Sequence, residues 1–141
     1  MTPVAASTLI TLFAVAGLAS PLSALAQQPV TTASGLVYQS LKDGQGDAPG
    51  PTDTVRVHYR GTFPDGREFD SSHQRGQPIE FALNRVIPCW TEGVQRMKSG
   101  GKAKLICPPA IAYGSRGAGS VIPPDATLHF EVELLAVRVA R

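Results

Sequence analysis

Val86-Ile87-Pro88-Cys89-Trp90, taken with Val57-His58-Tyr59, Phe69-Asp70 and Ala112-Tyr113-Gly114, places a Trp, two Tyr and a Phe on separate segments of a short chain. None of them has a nucleophile, a paired carboxylate or a metal-ligand cluster beside it. Such a set lines an apolar pocket whose chemistry is a change of shape, not a bond made or broken. Without further information, aromatics on alternating strands read first as core. His58, His73 and His129 lack metal-ligand spacing, and no metal site is expected. His58 and His129 fall on polar strand faces, and all three histidines read as solvated. Gly114, Gly117 and Gly119 suggest a phosphate loop, but no Lys-Ser/Thr pair follows and the segment runs into Pro123-Pro124. That reading is rejected.

The elements that must position these residues are short. From Thr54 to Tyr59, Val55, Val57 and Tyr59 share one face and Arg56 and His58 the other, which predicts a half-buried strand. Pro64-Asp65-Gly66 is a turn. Ile79 to Leu83 and Ala103 to Cys107 read as further strands. Leu128, Phe130, Val132 and Leu134 alternate with His129, Glu131 and Glu133, the clearest strand in the chain. Pro88 suits a first helical position, since its missing N–H would be unpaired there anyway. Trp90, Val94 and Met97 follow at i, i+4 and i+7, and Gly100-Gly101 ends that helix. A helix this short must pack on the sheet. The expected fold class is α+β, a curved antiparallel β-sheet wrapped around one short α-helix.

Length and charge narrow the function. The chain has 141 residues, 17% of them charged, which is room for one compact domain. A net charge of +2 with no run of like charges argues against nucleic-acid binding. No charged side chain precedes Lys42. The apolar run Leu9 to Ala19 is too short to span a bilayer comfortably, and Ala24-Leu25-Ala26 fits a signal-peptidase site. Residues 1–26 are read as a secretory signal, 27–34 as a short linker and 35–141 as the folded domain. No Cys follows the cleavage site, so no membrane anchor is expected in the mature form. The location implied is periplasmic or secreted.

Five ordered motifs resemble one family. They are Val55-Arg56-Val57-His58-Tyr59-Arg60-Gly61, then Asp65-Gly66 with Phe69-Asp70-Ser71-Ser72, and Val86-Ile87-Pro88-Cys89-Trp90. Ala112-Tyr113-Gly114 follows, and Ile122-Pro123-Pro124 leads to Ala126-Thr127-Leu128. Together, from about Gly35 to Val139, they resemble the FKBP family of macrolide-binding peptidyl-prolyl cis-trans isomerases. The resemblance implies an isomerase acting on X-Pro bonds of exported polypeptides, with macrolide ligands and no cofactor. It implies Trp90 as the pocket floor and Tyr59, Phe69, Val86, Ile87, Tyr113 and Phe130 as walls. The Ile87 N–H and the Tyr113 hydroxyl would donate to carbonyls of the bound peptide. Asp70 would sit at the pocket edge near Tyr59 and Arg75. Gly114 to Pro124 would form a flap, with Val121 and Ile122 facing inward.

The sequence departs from the family where Ile79 follows Pro78 in place of a common Phe. Either Ile79 or Phe81 could line the pocket. Ala118 lies in a variable part of the flap. Only a short stretch separates Ala26 from the domain, where some bacterial relatives carry a helical dimerisation extension, so a monomer is expected. Cys107 shares a strand face with Leu105 and points toward the helix that Cys89 begins. Two readings stay open: a disulfide stabilising by ~3 kcal/mol through loop entropy, or two buried thiols. A second function from a different class is a proline-directed binding or holdase module with little turnover. If the signal reading holds, N-terminal sequencing of exported protein returns Gln27 as the first residue. An intact Met1 terminus in the cytoplasm overturns it.

Overall fold

The computed structural model describes residues 27–140; the expected signal segment, residues 1–26, lies outside them. Period-two alternation builds the three long strands. In β3 (Thr54–Thr62), Val55, Val57, Tyr59 and Gly61 are buried while Arg56 and Arg60 face outward. In β6 (Lys102–Cys107), Ala103, Leu105 and Cys107 are buried, and in β7 (Leu128–Arg138) the even positions from Leu128 to Leu134 are. One sheet face is therefore apolar throughout, as the pleat dictates. The remaining strands are β1 (Val30–Thr31), β2 (Val37–Lys42), β4 (Glu68–Ser71) and β5 (Ile79–Ala82). All pair antiparallel in the order β1-β2-β6-β7-β3-β4, with β5 also on β3.

Strand β3 organises the site. One edge pairs with β7 along its whole length, setting Gly61 beside Phe130 and Tyr59 beside Val132. The other edge is shared: β5 covers Thr54 to Val57 and β4 covers Arg60 to Thr62. Between them Ser72 closes the gap. Its hydroxyl accepts from the Tyr59 N–H at 2.8 Å, and its own N–H donates to the Tyr59 carbonyl at 3.0 Å. Ser72 is fully buried, so both backbone groups of Tyr59 are satisfied where no strand reaches them.

The helix α1 (Pro88–Gln95) lies on the apolar face with Cys89, Trp90, Gly93 and Val94 buried. It stops earlier than Gly100-Gly101 would suggest. Arg96 and Met97 donate to Gly93 and Val94 at 3.1 and 3.0 Å, three-residue bonds that tighten the last turn. The chain then ties into β7, where Gly100 donates to Leu134 and Leu134 to Gly101. Two further elements depart from the sequence reading. The expected linker contains β1, held to β2 by pairing of Val30 with Tyr38. The strand from Ile79 ends at Ala82, and Leu83–Arg85 forms a 3-10 turn leading to Val86.

Close approach of α1 to β6 depends on a missing side chain. A Cβ on Gly93 would lie 2.8 Å from the Leu105 side chain, which is fully buried. Gly93→Val is therefore expected to destabilise the protein by about 1–3 kcal/mol through overpacking. Urea denaturation measures this, and an unchanged midpoint contradicts the packing described.

Candidate active site

Trp90, at the third position of α1, is only 4% exposed and is ringed by edges of other aromatics. Tyr59 from β3, Phe81 from β5 and Phe130 from β7 meet it at centroid distances of 5.2, 5.6 and 5.4 Å. All three are near-perpendicular, the arrangement that sets a positive ring edge against a negative face. Phe69 from β4 extends the set by packing edge-on to Phe130 at 5.6 Å. Above Trp90 lies a small, solvent-open cavity of about 100 Å³. Tyr59, Phe69, Asp70, Val86, Ile87, Trp90, Tyr113 and Phe130 line it, together with Phe81. Phe81 rather than Ile79 reaches the cavity: both are in β5, and alternation sends them to one face, but only Phe81 is long enough to meet Trp90.

At one edge, three polar groups fix one another. The Tyr59 hydroxyl donates to Asp70 Oδ2. Arg75 donates to Asp70 Oδ1 at 2.7 Å and to the Tyr59 oxygen at 3.1 Å. Its guanidinium also lies 5.9 Å from the Tyr59 ring centroid. Burial alone would raise the Asp70 carboxyl, but hydrogen bonds from Tyr59 and Arg75, with the Arg75 charge, outweigh it. The group is held below the usual carboxylate range. Burial first, then the hydrogen bond to Asp70, pushes the Tyr59 hydroxyl up. Arg75 does not itself line the cavity; it holds the two groups that do.

The opposite wall carries two unused donors. Ile87 precedes α1, and its carbonyl accepts from Trp90 and Thr91, which leaves its N–H pointing out of the helix start. Among the described residues that N–H has no hydrogen-bond partner. Thr91 Oγ1 donates to the Leu83 carbonyl at 2.6 Å and so anchors the turn that carries Val86 and Ile87. Tyr113 follows the 3-10 turn Pro109–Ile111 and is 41% exposed, and its hydroxyl is likewise without a partner among the described residues.

Some expected residues lie elsewhere. The inward orientation expected of Val121 is not found; its side chain is 54% exposed. Ile122 is buried, but in the core rather than in the cavity wall. The flap closes on itself instead, with Ala118 and Ile122 bridged by mutual backbone hydrogen bonds. That bridge turns adjacent side chains to opposite sides. Nor are all three histidines freely solvated. His58 shares a 2.8 Å hydrogen bond with Ser72, its ring stacks on His73, and His129 is half-buried. Among the described residues no three His, Cys, Asp or Glu side chains cluster as a metal site.

Two contributors escape sequence reasoning. Gly61 lets two walls approach: a Cβ there would fall 2.5 Å from the Phe69 ring and 3.0 Å from Phe130. Its register opposite Phe130 is the only signal, and register is not written in one strand. Ser72 is the other, a buried hydroxyl whose role shows only once the strand gap beside Tyr59 is seen.

The arrangement has known counterparts. The family described as FKBP-type peptidyl-prolyl cis-trans isomerase matches residues 46–135. The FKBP-type peptidyl-prolyl cis-trans isomerase FkpA of Escherichia coli (strain K12) is 54% identical over 110 residues, covering 78% of this chain and 40% of that protein. The crystal structure of FkpA from Escherichia coli superposes with a TM-score of 0.78 at 52% identity, covering 80% of this chain and 53% of that one. A crystal structure of a peptidyl-prolyl cis-trans isomerase from Pseudomonas syringae pv. tomato gives a TM-score of 0.73 at 41% identity, covering 78% and 80%. The chain thus spans less than half the length of the curated FkpA it matches. With the fold, the aromatic cavity and the sequence match in agreement, the chain belongs to the FKBP-type peptidyl-prolyl cis-trans isomerase family.

Proposed function

We propose that the protein is a peptidyl-prolyl cis-trans isomerase that accelerates X-Pro bond rotation in exported polypeptides. The observation that carries this reading is the unpaired Ile87 N–H at the wall of an aromatic cavity. A backbone donor left free beside Trp90 matches a peptide carbonyl next to an apolar ring. The FkpA relatives bear this activity in their name.

Rotation about an amide C–N bond has a barrier of about 18–20 kcal/mol because resonance is lost on the way. The twisted amide has a less dipolar carbonyl and a nitrogen lone pair no longer shared. The Trp90, Tyr59, Phe81 and Phe130 walls solvate the planar, more dipolar ground state poorly, and the difference lowers the barrier. The Ile87 N–H and the Tyr113 hydroxyl hold flanking carbonyls so that the chain on either side of proline is turned. Asp70, fixed by Tyr59 and Arg75, presents a negative charge at the cavity edge. Rotation makes and breaks no covalent bond, so none of these groups has to exchange a proton.

The same cavity is the seat for the macrolide ligands of the family. It is built by one copy of the chain, so a monomer is sufficient for the reaction. The periplasm, reached through a signal at residues 1–26, is the compartment in which its proline-containing clients fold.

Purified protein is expected to accelerate isomerisation of a short X-Pro peptide in a protease-coupled assay, and a family macrolide to compete with the peptide. Asp70→Ala lowers kcat/KM on the order of tenfold with little change in stability. Phe130→Ala lowers both, the stability loss being about 3–5 kcal/mol, because Phe130 also belongs to the core. Folded wild type with no acceleration on any X-Pro peptide favours a proline-binding module instead.

The pH profile is a separate check. Asp70 has a lowered folded-state pKa, so its stabilisation is complete above the unfolded value and lost only as pH falls through the lowered one. Tyr59 is raised and keeps its proton into the alkaline range. Turnover is therefore expected to be flat from about pH 5 to pH 9 as far as these groups are concerned. A bell centred near neutrality that Asp70→Asn abolishes would contradict this.

A further inference from the structure

The sulfurs of Cys89 and Cys107 are bonded, with Cα atoms 5.7 Å apart and neither residue exposed. We propose that this bridge is a positioning element of the isomerase site, one that fixes the Ile87 amide relative to the Tyr113 hydroxyl. The inference rests on the isomerase reading and assigns these two donors their shared frame.

Each donor belongs to a different body. Ile87 moves with α1, since its carbonyl accepts from Trp90 and Thr91. Cys89 is two residues along that helix and immediately precedes Trp90. Tyr113 hangs from the end of β6, whose last residue is Cys107. Beyond Cys107, Pro108 and Pro109 offer no N–H, so the chain cannot donate to a neighbour for two residues. The turn that follows is bonded within itself: Ile111 donates to Pro108, Ala112 to Pro109 and Gly117 to Tyr113. Among the described residues, no hydrogen bond joins this turn to α1 or to the Val86–Ile87 segment.

Where α1 lies on β6, two contacts follow one another, Gly93 over Leu105 and the bridge, and Trp90 adds packing against Phe130 of the neighbouring β7. Four helical residues advance about 6 Å and two strand residues about 6.7 Å, so the two contacts stay in step. Without the bridge, side-chain packing alone holds the helix start, with Gly93 on Leu105 and Trp90 among its aromatic neighbours, and no covalent link limits a shift about Gly93. Such a shift moves Ile87 most, because it lies six residues, more than a full turn, from Gly93. The bridge stops that motion at the end nearest both donors.

These donors hold carbonyls that are present before and during rotation. Their misplacement weakens ground state and transition state alike, which raises KM and spares kcat. A bridge that served only chain entropy would lower Tm and leave KM alone.

The test is Cys89→Ala with Cys107→Val in the full chain, beside wild type reduced and verified by thiol counting. Loss of the bridge is expected to raise KM about tenfold with kcat within about twofold. Trp90 is the only tryptophan, so its fluorescence follows peptide binding, and Kd should rise by the same factor. Reoxidation of the reduced protein should restore both. A lowered Tm with KM and Kd unchanged overturns the proposal. If the double variant does not fold, the reduced wild type decides; if that too is unfolded, the bridge is a requirement of folding and the proposal falls. Wild type that binds peptide without turning it over counts against the isomerase reading alone, since Kd still reports the clamp. Wild type that does neither removes both.

Discussion

An eight-residue helix has no stability of its own in water, and everything at this site depends on how α1 is held. Beside the Cys89–Cys107 bridge and the Gly93 contact, what holds it is above all the burial of one side chain. Trp90 leaves α1 into a ring of edges supplied by Tyr59, Phe81 and Phe130, which come from three different strands. Each such pair adds about 0.5–1.5 kcal/mol beyond its buried area. The contacts also set the rotation of the helix about its axis, because perpendicular rings on three sides leave Trp90 one orientation. With Trp90 seated and Cys89 bridged, the start of α1 is held so that Ile87 presents its N–H to the cavity. The same packing that folds the domain therefore aims its donor.

The electrostatics suit a site that has no proton to transfer. A general acid or base works best when it titrates near the working pH. Here the pair at the cavity edge is pushed the other way, Asp70 down and Tyr59 up. Their hydrogen bond, with Arg75 on both, locks one protonation state across the neutral range. What remains is a fixed charge and a fixed dipole beside apolar rings. That suits a reaction whose transition state differs from its ground state in polarity and shape rather than in bonding.

Much of this is legible in the sequence, for reasons that can be traced. Leu128 to Leu134 alternates because one sheet face is core and the other is solvent, and Pro88 marks the helix start by its missing donor. The cavity lining follows from ordered motifs, since each brings one ring to the same face. What escapes is whatever depends on pairing across the sheet. The four-residue β4 gives too short a pattern to show a period, and β1 is a strand only because β2 lies beside it. Ser72 matters only because β4 and β5 leave a gap on β3. Val121 fails for a related reason: the flap bonds to itself through Ala118 and Ile122, and that closure sets which side chain turns out.

The overlap between core and site separates the residues into two kinds. Trp90, Tyr59 and Phe130 are buried members of the core that also line the cavity. A change at any of them alters folding and binding together, so neither effect alone measures its part in the reaction. Asp70, Arg75 and Tyr113 are exposed enough to be altered without opening a void. They are positions where a substitution leaves the fold intact. Apolar cavities built from core residues are consequently rigid in character, and variation concentrates in the rim and the flap above them. In this chain the rim hydroxyl of Tyr113 and the exposed Val121 stand at that boundary, free of the packing that fixes the floor.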